Sequence, residues 1–240
     1  MQNYTRRQLK EDKFAQSAQG AVHWASDHRK NVVLAIGVIL VVAIAWGGWF
    51  IWNNAQTDKA NVALGKAQQT FLAPLRPAGV PPTPNETVKS FSSLAERSKQ
   101  AEKEFKAVAD EFPHTRPGKI ARFLEAASAM HAGDSATAER QLKSVADSGD
   151  KDVAALAKMS LASLYVSANR QGEAAKIYKD LLDHPSATVS KAEAQLALAE
   201  MYESTDPKQA AALYQQIEKE NPQTSQAAQI AHNKVASAAK

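Results

Sequence analysis

Residues 157–181 read AKMSLASLYVSANRQGEAAKIYKDL, and residues 194–217 read AQLALAEMYESTDPKQAAALYQQI. Laid over one another, they align Ala157 with Ala194, Leu161 with Leu198 and Tyr165 with Tyr202, then, across a short break, Ala174 with Ala210 and Tyr178 with Tyr214. On each side of the break the apolar residues recur at three- and four-residue intervals, the spacing of one helical face. Each stretch is therefore a pair of helices, and the pair is repeated.

The repeat extends in both directions. Ala101, Phe105 and Val108 recur as Ala138, Leu142 and Val145, then as Ala174, Tyr178 and Leu181, and then as Ala210, Tyr214 and Ile217, in steps of about 36 to 37 residues. Between them runs a second series in which Leu124, Leu161, Leu198 and Val235 align, as do Ala157, Ala194 and Ala231. The helices of a pair are split at Gly133-Asp134, Asn169-Arg170-Gln171-Gly172 and Asp206-Pro207. Successive pairs are split at Phe112-Pro113, Gly149-Asp150, His184-Pro185 and Asn221-Pro222. Glycine supplies left-handed caps there, and proline stops or starts a helix. Small alanines let paired helices approach, and Leu and Tyr fill the layer between neighbours. One pair cannot bury its apolar face alone, so the pairs must stack.

Toward the N-terminus the pattern changes. Asn31 to Thr57 carries no charge, and Val32 to Trp52 is about 21 residues of Val, Ile, Leu, Ala, Gly, Phe and Trp, enough to cross roughly 30 Å of hydrocarbon as a helix. Before it, Arg6, Arg7, Lys10, Lys13, Arg29 and Lys30 face only Glu11, Asp12 and Asp27. Shortly after it stand only Lys59 and Lys66. That asymmetry predicts a cytoplasmic N-terminus and an extracytoplasmic C-terminal domain. Trp46, Trp49 and Trp52 predict the outer interface with lipid, and Arg29 and Lys30 the inner one. The approach to the span is too long, and Asn53-Asn54-Ala55-Gln56 too poor a cleavage site, for a signal peptide. Leu9, Phe14, Ala18, Val22 and Ala25 place an amphipathic helix ahead of the span, either on anionic headgroups or simply solvated. Ala43 and Gly47 form a small-xxx-small pair, a common pattern in such spans.

The expected organisation is thus all-α: a basic cytoplasmic segment over 1–31, a membrane helix over 32–52, a membrane-proximal helix and Pro-rich loop over 53–87, and a repeat domain over 88–240. Pro74, Pro77, Gly79, Pro81, Pro82 and Pro84 exclude helix from the loop, which reads as a spacer. The chain's 240 residues carry a formal charge of +4. Because the basic excess lies beside the span, nucleic acid is not an expected partner. The absence of cysteine fits an oxidising compartment, as it does many cytosolic proteins.

Leu161-Ala162-x-x-Tyr165 followed by Ala174-x-x-x-Tyr178, and Leu198-Ala199-x-x-Tyr202 followed by Ala210-x-x-x-Tyr214, resemble the tetratricopeptide repeat, with leucine, a small residue and an aromatic on its first helix and alanine and an aromatic on its second. The unit from Leu124 to Leu142 is degenerate, with Glu125 and Ser128 at the small and aromatic positions. A basic N-terminus, one span and three or four such repeats resemble the bacterial ancillary SecYEG translocon subunit family. That resemblance implies a bacterial inner-membrane protein whose periplasmic domain links translocon subunits, periplasmic chaperones or secreted polypeptides. The long cytoplasmic segment and the Pro-rich insertion depart from a minimal member.

No phosphate loop, zinc-ligand spacing, nucleophile elbow or zincin motif is present, and the six histidines are scattered. No catalytic residue, metal or cofactor is expected. In tetratricopeptide folds the first helices line a concave groove. Carried over, this nominates Lys119, Arg122, Ala126 and Met130, then Met159, Ser163 and Val166, then Glu193, Leu196, Glu200 and Glu203, a groove with a basic end, an apolar middle and an acidic end. Two classes of function fit: an adaptor at the translocon or at another envelope assembly, such as cytochrome maturation or cell division, and a structural or self-assembling envelope protein.

Overall fold

The computed structural model describes residues 28–77 and 89–238. The amphipathic segment from Leu9 to Ala25 and the prolines Pro81, Pro82 and Pro84 lie outside the described residues. Among the described residues there are nine helices and, apart from one bridge between Leu75 and Phe91, no strand pairing. The chain divides into two units, Met1–Ala55 and Gln56–Lys240.

Helix α1, Arg29–Phe71, contributes to both units. Its N-terminal part is a helix long and apolar enough to cross a membrane, and none of its most apolar window is buried in protein. Val41, Ile44, Trp46 and Ile51 are each about two-thirds or more exposed. Such a surface is unfavourable in water and ordinary in lipid.

In the second unit, the tail of α1 from Gln56 packs on α2 (Leu94–Glu111). Ala60, Leu64 and Ala67 share one buried cluster with Ala101, Phe105 and Val108, and Phe71 meets Phe105 edge-on at 5.9 Å. The membrane-proximal helix is therefore the first helix of the first pair. It carries Leu64-Gly65 but has Gln68 where the later repeats have an aromatic, and the Pro-rich segment after it breaks the 36- to 37-residue step, so sequence periodicity did not join it to them.

The remaining pairs follow in order: α3 (Arg116–His131) with α4 (Ser135–Ala146), α5 (Lys151–Ser167) with α6 (Gln171–Asp183), and α7 (Lys191–Tyr202) with α8 (Pro207–Glu220), closed by α9 (Gln226–Ala238). From α2 onward each helix packs on its sequence neighbours, and two pairs of first helices also meet directly, α3 on α5 and α7 on α9. In a curved stack the layer whose members touch is the inner one, which puts α3, α5, α7 and α9 on the concave side. The second-helix series is buried throughout, from Ala101, Phe105 and Val108 to Ala210, Tyr214 and Ile217.

Helix starts are capped by side chains at Ser93, Thr115, Asp134, Asp150, Ser190 and Asp206. At Ser190 the cap is reciprocal, with the Glu193 carboxylate accepting from the Ser190 N–H at 2.7 Å. Between the helices of two pairs the chain reverses through a left-handed residue, Gly133 (φ 85°) and Asn169 (φ 58°). Gly118 answers a different need, since a Cβ there would stand 1.9 Å from the Phe112 carbonyl oxygen.

Ala174 has no exposed surface, whereas Lys176 on the same helix is solvated. Ala174→Leu is expected to cost roughly 1–3 kcal/mol by overpacking, and Lys176→Ala close to nothing. Thermal unfolding of the two variants checks this phase, and equal shifts would contradict it.

Candidate partner-binding groove

The exposed face of the first helices follows from which residues are buried. On α5, Ala157, Leu161, Ala162 and Tyr165 point into the domain, leaving Leu156, Met159, Ser163 and Val166 on the opposite, partly or fully exposed side. On α7, Ala194, Leu198 and Ala199 are buried, and Leu196 and the exposed Glu193, Glu200 and Glu203 face outward.

On α3 the structure corrects the repeat alignment. Its buried residues include Ala121, Glu125, Ala126 and Ala129, which match Ala157, Leu161, Ala162 and Tyr165 at a spacing of 36 residues, not 37. Glu125 thus holds the leucine position and Ala126 the small one, and Leu124 is displaced by one. A slip of one residue turns a helix by about 100°. The side of α3 turned away from these residues therefore carries Ile120, Phe123, Ala127 and Met130, each half-buried, with Ile120, Phe123 and Met130 also packed against the edge of the core. Of these, sequence reasoning found only Met130. Comparing burial-prone small residues instead of leucines was the signal that could have found the rest.

Three nominated residues leave the groove. Ala126 is fully buried. Arg122 turns toward the second helices, donating to Asp110 of α2 at 2.7 Å and to Glu125 at 3.0 Å. Lys119 lines, with Arg122, Ser144 and Ser148, a crevice of about 180 Å³ on that same side. The expected basic end is absent, and the face runs from apolar on α3 and α5 to acidic on α7. Of the acidic residues, Glu203 takes a hydrogen bond from Lys234 of α9 at 2.8 Å and one from the Tyr214 hydroxyl at 2.7 Å. These hold its carboxyl below the usual range. Arg29 and Lys30 are exposed in the first turn of α1, and Trp46, Trp49 and Trp52 are exposed further along it, with the Trp46 and Trp49 rings 6.1 Å apart. Among the described residues no group of His, Asp or Glu is arranged to hold a metal ion.

A tetratricopeptide repeat-like domain family matches residues 22–184, well over half of the chain, from ahead of the apolar helix to the end of α6. The chain belongs to that family. No curated protein and no solved structure gives a match. Tetratricopeptide-like domains are modules for protein–protein interaction, and stacked repeats present extended concave surfaces.

This tetratricopeptide-like domain carries one unusual internal feature. Glu125, 2% exposed in a position that neighbouring repeats fill with leucine, accepts from Arg122 and from the Gln141 amide at 2.6 Å. Burial pushes its carboxyl up, against the pull of Arg122. A carboxyl whose folded pKa is raised contributes stability below its ordinary pKa and loses it as pH rises through the folded value. Arg122→Ala, which deprives the carboxylate of its cation, is expected to cost roughly 2 kcal/mol at pH 8 and distinctly less at pH 5. That figure sits below the 3–5 kcal/mol of a fully buried pair because Arg122 is one-third exposed. Glu125→Leu is expected to match or exceed the parent, and unfolding curves at the two pH values decide both.

Proposed function

We propose that this protein is a membrane-anchored adaptor that holds polypeptide partners in the groove formed by α3, α5 and α7, on the periplasmic side of a bacterial inner membrane. The observation that carries the reading is the set of partly exposed apolar side chains Phe123 and Met130 on α3 and Met159 and Val166 on α5, two helices that pack on each other, in a family of interaction modules and on a chain that also contains one helix apolar enough for a bilayer. Methionine and valine give adaptable apolar contact suited to partners of varied sequence. The orientation rests on Arg29, Lys30 and the basic residues before them, with Trp46, Trp49 and Trp52 at the outer lipid interface. The partners we propose are translocon subunits, periplasmic chaperones or secreted polypeptides emerging nearby. Anchoring raises their effective concentration, so weak intrinsic affinity suffices.

Site-specific photocrosslinking in intact cells tests this. Probes at Met159 and Val166 are expected to capture a translocon subunit, a chaperone or a secreted chain, whereas probes at Lys176 and Lys179 on α6 are expected to capture none. Capture only from α6 would move recognition to the convex side. Capture only of a second copy would favour self-assembly. Alkaline phosphatase fused at Lys240 is expected to be active, and a silent fusion would reverse the orientation.

A further inference from the structure

The groove is graded along the stack, and the gradient names its occupant more closely than apolar contact alone. Phe123 and Met130 on α3, and Met159 and Val166 on α5, present apolar surface, whereas Glu193, Glu200 and Glu203 stand exposed on α7. Of these three carboxylates only Glu203 forms an ion pair among the described residues, with Lys234. Glu193 accepts from Ser190, a neutral cap that leaves its charge in place. Glu193 and Glu200 therefore have no cation at ion-pair distance among the described residues, although Lys234 also lies within the field of Glu200. The cations nominated for the opposite end are withdrawn, Arg122 into its pairs with Asp110 and Glu125 and Lys119 into the crevice beside it.

We infer that the occupant is a polypeptide segment whose apolar side chains are followed by lysine or arginine, the apolar part across α3 and α5 and the cations over α7. α5 and α7 each pack on α6 and not closely on one another, so the step between them is at least the roughly 8–10 Å of a packed pair, about three or more residues of an extended segment or about six or more of a helical one. The cations therefore follow the last apolar anchor at about that distance or beyond. Complementary charge across such a site fixes the direction in which the segment lies and speeds its capture. This inference rests on the groove assignment of the preceding subsection.

The test uses the full-length protein in detergent with three fluorescent synthetic peptides that share an apolar stretch and end in Lys-Lys, Ser-Ser or Glu-Glu. A photoreactive residue at Met159 locates binding. The Lys-Lys peptide is expected to bind about ten-fold more tightly than the Ser-Ser peptide and the Glu-Glu peptide more weakly still. The preference is expected to shrink at about 0.5 M salt, where exposed charges are screened beyond a few ångströms. Glu200→Gln should reduce the preference and Glu200→Lys reverse it, with circular dichroism confirming that both variants fold. Equal binding of all three peptides, each crosslinking at Met159, overturns the charge preference and leaves the groove. Failure of every peptide to crosslink at Met159 overturns the groove assignment itself.

Discussion

The domain depends on alanine at the places where its helices come closest. Ala121, Ala126, Ala157, Ala162, Ala194 and Ala199 on the first helices, with Ala138 and Ala174 on the second, have no exposed surface. A side chain this small lets backbones approach, and any larger one at the same point forces them apart. Because these alanines must face inward, the phase of each helix is set, and so is the side it turns to solvent. The face that α3, α5 and α7 turn to solvent, the proposed groove, is the geometrical remainder of that contact. Leucine and the aromatics then fill the wider gaps, as Leu142, Tyr178 and Ile217 do on successive second helices.

Glu125 departs from this economy. A charge in a leucine position must be desolvated, and Arg122 and Gln141 offset that cost only in part. The same arrangement joins α2, α3 and α4 through Asp110, Arg122, Glu125 and Gln141. It fixes the direction of Arg122, which would otherwise lie free to meet a partner. Network and proposed groove are thus coupled through one side chain: what holds α3 in place also turns the Arg122 cation toward α2 and Glu125, away from the proposed binding side.

The sequence made the later repeats legible because two independent marks agreed, Leu161-Ala162 with Tyr165 on one helix and Ala174 with Tyr178 on the next, each recurring about 36 to 37 residues on. The second-helix series was readable along its whole length for the same reason. On α3 the marks conflicted. Leu124 offered a leucine one residue away from the buried position that Glu125 fills, and an alignment that prefers leucine to glutamate turns the helix by about 100°. In the tail of α1 the marks were out of place, since the aromatic that packs on α2 is Phe71, seven residues after Leu64 and not one turn after it, with Gln68 in that position. Apolar length alone identified the N-terminal part of α1, because 21 consecutive residues without charge leave few alternatives. The exposure of Glu193, Glu200 and Glu203 follows from the phase of α7 alone, whereas the fate of Arg122 depended on partners 12 positions away and 3 positions on, at a register that periodicity had misjudged.

The phase of α3 relative to α5 is the claim on which the groove stands, and a chain without cysteine lends itself to a direct measurement of it. Single replacements Ala126→Cys, Ala127→Cys, Ala162→Cys and Ser163→Cys in the full-length protein, treated with a membrane-impermeant maleimide under native conditions, report which side of each helix meets water. Rapid labelling is expected at 127 and 163, and protection at 126 and 162 until the domain is unfolded. Rapid labelling at 126 with protection at 127 would restore the 37-residue register, return Arg122 to the groove, and contradict the surface described for α3.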